Sequence, residues 1–146
     1  MKYLLPLILA CYMACTGNAP SDKQTDIFSN YLGAGFGLSI PAHIHHYILI
    51  PKMTCKGCVN GKLQDELPFL QEEVRAGRLT LITSNLQVLD EPLKQKLGFL
   101  TDTQGSLDRL NLRIRNMAVV RTKDHRVSSI TSVQTDDTTR LSLLIK

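Results

Sequence analysis

The sequence has no tryptophan, and aromatic residues make up only 5% of its 146 positions. They are not interleaved with basic residues, as surfaces that stack single-stranded nucleic acid require. The net charge of +4 at pH 7 is modest, and Asp108 and Asp124 interrupt the richest basic region, residues 108–126. This pattern is typical of a solvated face, and we expect no nucleic-acid partner.

A hydrophobic run long enough to cross a bilayer is also lacking. The apolar run at the N-terminus, residues 3–10, is shorter than the roughly 20 residues of a transmembrane helix. Because Lys2 precedes it and small and polar residues follow, it predicts an export signal over residues 1–15. A tether over residues 16–25 and a folded domain over residues 26–146 are then expected.

The end of this run, Leu7-Ile8-Leu9-Ala10-Cys11, resembles a bacterial lipobox, in which the cysteine is lipidated and becomes the new N-terminus. Cys15 is an alternative lipidation site, and ordinary secretory cleavage near Ala14 or Ala19 is a third interpretation. The lipobox resemblance implies that the protein is anchored to a membrane of the bacterial cell envelope, on the periplasmic or surface side.

Cysteine is scarce, with four residues in the chain. Four cysteines could form two disulfides, but lipidation at Cys11 or Cys15 would leave Cys55 and Cys58 alone in the folded part. An exported protein also works in a compartment where disulfides persist. Cys55 and Cys58 are therefore the candidate functional pair.

The local pattern around this pair predicts a strand that leads into a helix. Residues 43–50 have a continuous apolar second half, which is typical of a strand buried on both faces. Pro51 ends the strand. Thr54 is the predicted N-cap of the next helix, with Cys55 at its first position and Cys58 one turn inward.

The remaining pattern alternates helices with strands. Apolar residues recur at steps of three and four, as on one face of a helix, at Val59, Leu63, Leu67, Leu70 and Val74. Pro68 should kink or split this helix. Further strands are predicted at residues 79–83, 99–102, 117–121 and 126–133. The order predicts a layered α/β sheet that ends in a β-hairpin.

This order resembles the thioredoxin fold, in which an apolar strand runs into Cys-x-x-Cys at a helix start and a hairpin closes the sheet. Three short segments are similar to segments of thioredoxin-like lipoproteins of Bacteroidetes: residues 46–51, 101–105 and 107–112. The resemblance covers roughly residues 26–133. It implies a thioredoxin-like layered sheet with flanking helices. It also implies thiol–disulfide exchange or redox sensing, with a protein thiol or disulfide as partner.

The sequence departs from the thioredoxin pattern in two places. Lys56-Gly57 stands between the cysteines, where thioredoxins often have a proline, and the tryptophan before the first cysteine is missing. Asn116-Met117 occupies the position of the cis-proline before the hairpin. A cis bond without proline costs about 3–4 kcal/mol, so we expect a trans bond and an altered substrate-docking surface.

In the exchange interpretation, Cys55 is the nucleophile and Cys58 resolves the mixed disulfide. The positive end of the helix dipole and the charge of Lys56 both favour the Cys55 thiolate. The alternative is a non-catalytic envelope lipoprotein in which the pair is a structural disulfide or two unused thiols.

A second resemblance is local. Residues 53–59 are similar to the Met-Thr-Cys-x-x-Cys motif of heavy-metal-associated domains, which implies a Cu(I) site or another soft-metal site on Cys55 and Cys58. Two thiolates suffice for Cu(I). A domain of that kind would end near Leu100 and would leave residues 101–146 without a role.

Overall fold

The apolar run before the cysteines forms strand β1, which lies at the centre of the sheet. The computed structural model describes residues 22–112, 114, 116–134 and 138–146. The predicted export signal, with Cys11 and Cys15, lies outside these residues. The helices are α1 (Asp22–Phe36), α2 (Lys56–Asp65), α3 (Leu67–Arg75), α4 (Glu91–Leu97) and α5 (Leu141–Leu144). The strands are β1 (His45–Ile50), β2 (Leu79–Thr83), β3 (Phe99–Thr101), β4 (Met117–Lys123) and β5 (Arg126–Val133).

The sheet is mixed, with the strand order β3-β2-β1-β4-β5. Strand β1 runs parallel to β2 and antiparallel to β4, so that Ile48 lies opposite Leu81 on one side and Val119 on the other. Strands β4 and β5 form the antiparallel hairpin at the C-terminal end of the sheet. All six residues of β1 are buried, as its continuous apolar pattern predicts for a strand covered on both faces.

Helices cover both faces of the sheet and create two hydrophobic cores. Successive residues of a strand point to opposite faces. Ile48 and Ile50 pack into the core beneath α2, α3, α4 and α5. Tyr47 and Leu49 pack into the second core, against the fully buried Phe28 of α1. The predicted α/β class is confirmed, and the layers have a thioredoxin-like arrangement.

The continuation of the sheet past Leu100 bears on the heavy-metal-associated interpretation. Strand β4 pairs directly with the central strand β1, and β5 pairs with β4. Met117 and Val133 lie in the same core as the helix that carries the cysteines. The independent domain ending near Leu100, which that interpretation requires, is therefore wrong for this fold.

Helix α1 begins earlier than the sequence pattern suggests. Residues 22–25, predicted as part of the tether, form its first turn. The Thr25 hydroxyl accepts a hydrogen bond from Val127 N at 3.1 Å, and an Asp22 carboxylate oxygen lies 3.5 Å from an Arg126 nitrogen. The polar residues of this turn have no apolar periodicity, so contacts with β5 define the helix start.

Two other predictions concern the helices after the cysteines and at the chain end. Pro68 was expected to kink or split the helix, and a split is confirmed, since α2 ends at Asp65 and α3 begins at Leu67. The tail, for which helix and strand patterns fit equally, forms α5. In the described part of the chain, no helix combines the length and apolar character needed to span a membrane.

Candidate functional site

The two cysteines form a disulfide just beyond the carboxyl end of β1. The S–S distance is 2.13 Å and the Cα atoms are 5.3 Å apart. Pro51 ends β1, and the loop through Met53 and Thr54 leads to Cys55 directly before α2. The predicted strand–Cys-x-x-Cys–helix arrangement is thus present, and its position follows from the buried strand behind it.

The N-cap of α2 is Cys55 itself, which corrects the prediction that Thr54 caps this helix. Cys55 has extended backbone angles (φ −72°, ψ 112°), and its Sγ accepts a hydrogen bond from Cys58 N at 3.4 Å. Helix α2 begins at Lys56, so Cys55 is not the first helical residue. The first cysteine sulfur therefore occupies the place where an anion is favoured by free backbone N–H groups and by the helix dipole.

Instead of capping α2, Thr54 joins the cysteine loop to the residue before β4. Its hydroxyl donates a hydrogen bond to Asn116 O at 3.0 Å. Asn116 and Met117 thus lie beside the cysteine loop, at the position that corresponds to the cis-proline of thioredoxins. No peptide bond between described residues is cis, so the Asn116–Met117 bond is trans. The Met117 side chain is buried.

Lys56 contributes less charge to the disulfide than the sequence pattern suggests. Its ammonium lies 3.3 Å from a carboxylate oxygen of Asp90, and both side chains are about half exposed. An exposed pair of this kind contributes at most about 1 kcal/mol to stability. The positive charge beside the cysteines is therefore partly compensated by Asp90.

A buried asparagine fixes this arrangement, and the sequence analysis missed it. Asn60 donates to Lys56 O at 2.8 Å and to Val88 O at 2.9 Å, and its side-chain oxygen accepts from Asp90 N at 3.0 Å. These bonds join α2, two residues after Cys58, to the segment before α4. No local sequence signal marks Asn60, because its partners Val88 and Asp90 lie 28 and 30 positions later in the chain.

Asp102 organises a second loop beside the cysteines. Its carboxylate accepts hydrogen bonds from Gln104 N and Leu107 N, and the Tyr31 hydroxyl donates to it at 3.5 Å. Burial, and then the charge of Asp102, raise the pKa of Tyr31. The loop that Asp102 holds carries Asp108, whose carboxylate accepts from Lys52 N at 2.8 Å.

Exposure differs between the two cysteines. Cys55 is exposed and Cys58 is half-buried. Met53, two residues before Cys55, is 83% exposed, so an apolar side chain stands in solvent next to the disulfide. On the Cys58 side, the surface opens into a cleft of about 970 Å³.

His45 and His46 are the first residues of β1 and lie at the end of the strand opposite the cysteines. His45 Nε2 lies 2.9 Å from the Thr80 hydroxyl, and burial lowers the pKa of His45. His46 is 2% exposed; burial, and then the guanidinium of Arg121, lower its pKa. Across the described ranges, no three His, Cys, Asp or Glu side chains are grouped as a metal site.

The comparisons with known proteins add no relative. No protein-family model matches the chain, and no curated protein matches it significantly. The fold and the site themselves define the class: an α/β protein with a thioredoxin-like layered sheet and a Cys55–Cys58 disulfide at the strand–helix junction.

Proposed function

We propose that the protein performs thiol–disulfide exchange or redox sensing through Cys55 and Cys58. One observation carries this proposal: the exposed Cys55 sulfur is the N-cap of α2 and is disulfide-bonded to the half-buried Cys58. A purely structural disulfide needs neither an exposed sulfur nor a position at a helix N-terminus. Both features favour a reactive thiolate once the pair is reduced.

The proposed reaction has two displacement steps. In the reduced protein, the Cys55 thiolate attacks one sulfur of a substrate disulfide, the substrate S–S bond breaks, and one substrate sulfur leaves as a thiolate. Cys58, deprotonated, then attacks the Cys55 sulfur of the mixed disulfide and expels the second substrate sulfur. Two electrons pass from the protein to the substrate, and the Cys55–Cys58 disulfide remains.

The surroundings of Cys55 support a protein as the substrate. The exposed Met53 side chain offers an adaptable apolar contact of the kind used at promiscuous binding surfaces. Asn116, at the position of the thioredoxin cis-proline, already accepts a hydrogen bond from Thr54. Substrate docking therefore differs from that of thioredoxins and depends more on Met53.

A redox titration of the purified protein tests the proposal. A reversible two-electron midpoint between about −120 and −270 mV is expected for an exchanger, whereas a value below about −300 mV indicates a structural disulfide. Cys58→Ser should accumulate a mixed disulfide with a denatured disulfide-bonded protein. Its matched control, Cys55→Ser, should accumulate far less, and equal trapping by the two variants would contradict the assignment of Cys55 as nucleophile.

A Cu(I) site on the same two sulfurs is the second candidate function, favoured by the local sequence of residues 53–59 and the exposed Met53 thioether beside the pair. Thiolates and thioethers are soft ligands that select Cu(I). Competition between the reduced protein and a Cu(I) chelator distinguishes the two functions. Retention of copper against a strong chelator supports a carrier, and complete loss excludes it.

We also propose that a lipid on Cys11, with Cys15 as the alternative, anchors the domain to the bacterial cell envelope. The proposal is supported by the lipobox-like residues 7–11 and by a disulfide that suits an oxidising compartment. Radiolabelled fatty acid should be incorporated by the wild type and lost in Cys11→Ser. If Cys11→Ser retains the label and Cys15→Ser loses it, Cys15 is the lipidated residue.

A further inference from the structure

The cleft beside Cys58 has a definite construction. It runs along α2 and is bounded by Gly57, Cys58, Gly61, Phe69, Arg140 and Ser142, among other residues. Its volume, about 970 Å³, lies within the range of small-molecule sites, roughly 300–1,000 Å³. Cys58 lines the cleft, whereas Cys55 does not. The cleft therefore reaches the disulfide from the Cys58 side.

Two of the α2 residues that line the cleft, Gly57 and Gly61, have no side chain, whereas Lys62 and Asp65 do. A Cβ atom added at Gly57 or at Gly61 would meet no heavy atom within 4 Å. Packing against a neighbour therefore does not require glycine at either position, and Gly61 in a helix interior costs roughly 0.5–1 kcal/mol relative to alanine. The consequence of both glycines is an open path along the helix to Cys58.

The opposite wall is the C-terminal tail, and it is held in place. The Glu66 carboxylate, at the junction of α2 and α3, accepts hydrogen bonds from Leu141 N and from Ser142 N, the latter at 2.8 Å. The Leu141 side chain is fully buried, and Ile145 is 4% exposed in the same core. The wall is thus part of the packed structure.

The cleft carries charges of both signs, from Lys62, Asp65, Glu66 and Arg140, and Arg140 is the group in it that suits a ligand carboxylate. Both oxygens of Glu66 are occupied by backbone N–H groups. Arg140 is exposed, and no ion pair involves its guanidinium in the part of the chain that the structure describes. A guanidinium presents donors whose geometry matches a carboxylate.

We infer that this cleft binds a low-molecular-weight thiol with a carboxylate group, which reduces the protein from the Cys58 side. This inference rests on the proposed exchange function and specifies its reductant. The ligand carboxylate pairs with Arg140, its backbone lies along Gly61, and its sulfur reaches Cys58. A protein disulfide meets Cys55 on the exposed side, so reductant and substrate use separate surfaces.

The reaction balances as two displacements. The deprotonated small thiol attacks Cys58 Sγ, the Cys55–Cys58 bond breaks, and Cys55 leaves as a thiolate. Cys55 is the favoured leaving sulfur because Cys58 N already donates a hydrogen bond to it at the α2 N-cap, and a stabilised thiolate leaves faster. A second small thiolate then attacks the small-molecule sulfur of the mixed disulfide, and Cys58 leaves as a thiolate. The two small thiols thus lose two electrons and become a disulfide, and the protein gains these electrons as the Cys55 and Cys58 dithiol.

The test follows reduction of the oxidised protein by glutathione, with cysteamine, a thiol without a carboxylate, for comparison. Gly61→Leu should fill the cleft and slow reduction by glutathione about tenfold, whereas Gln64→Leu on the exposed side of α2 should leave the rate unchanged. Arg140→Ala should slow glutathione several-fold and cysteamine hardly at all. After quenching with acid, mass spectrometry should find the glutathione adduct on Cys58.

Two results would contradict reduction through the cleft while leaving the proposed exchange function intact. They are an adduct on Cys55, and equal glutathione rates in Gly61→Leu and Gln64→Leu, in each case with normal exchange between reduced Cys55 and a protein disulfide. Failure of the exchange function itself gives a different result. Dithiothreitol would then reduce the disulfide, but the reduced protein would form no mixed disulfide with any protein substrate.

Discussion

Replacing Asn60 with alanine tests whether the buried asparagine fixes α2 beneath the disulfide. The change removes the donor to Val88 O and the acceptor of Asp90 N. Lys56 O keeps a backbone partner because α2 continues past residue 60. A buried polar group left without a partner costs about 1–3 kcal/mol. Since Asp90 is partly exposed and can be hydrated, we expect a total loss of about 2–4 kcal/mol.

The measurement is urea denaturation of the oxidised protein at pH 7, followed by circular dichroism, with the midpoint and the m-value both fitted. Gln64→Ala is the matched control, because Gln64 lies on the same helix and is exposed; a change within about 0.5 kcal/mol is expected there. A loss below about 1 kcal/mol for Asn60→Ala, or equal losses in both variants, would refute the argument that these bonds stabilise the site.

Three further predictions concern other parts of the fold. Burial lowers the pKa of His46 in the folded protein. As the pH decreases below about 6.5, the unfolded state therefore binds a proton more readily than the folded state, and the free energy of unfolding decreases. His46→Gln should reduce this dependence between pH 7 and 5.5 by up to about 1.4 kcal/mol per pH unit, and an unchanged slope in denaturation at several pH values would contradict it. Glu66→Ala removes the acceptor of Leu141 N and Ser142 N and should cost about 2–4 kcal/mol. Glu66→Gln should lose less, and faster amide exchange confined to α5 is the expected signature. Asp102→Ala removes the acceptor of Gln104 N and Leu107 N and should also cost about 2–4 kcal/mol in urea denaturation; a loss under about 1 kcal/mol would show that water replaces the carboxylate.

Much of the fold could be predicted because its signals are local. The buried character of β1 follows from a continuous apolar run, and Pro68 interrupts the helical pattern where α2 ends and α3 begins. The limits of β2 and β5 were likewise predictable from apolar residues bounded by turns. Such features depend on neighbouring residues, and the chain displays them directly.

The details of the site could not be predicted, because they depend on partners distant in sequence. Thr54 is a plausible N-cap by composition, but its hydroxyl bonds Asn116 O, 62 residues away. Asn60 forms hydrogen bonds with Val88 and Asp90, which lie 28 and 30 positions later in the chain. Glu66 fixes a tail 75 residues further along the chain. Only folding brings these groups together, so spacing and composition contain no record of them.

Helix α1 begins at the end of the sheet that lies opposite the cysteines. Asp22 lies beside Arg126, next to the hairpin turn, and this turn flanks the first residues of β1, where His45 is opposite Thr122. Cys55 follows the other end of β1, and six strand residues span roughly 20 Å. The chain therefore enters the described domain at one end of the sheet, and the Cys55–Cys58 disulfide lies at the other end.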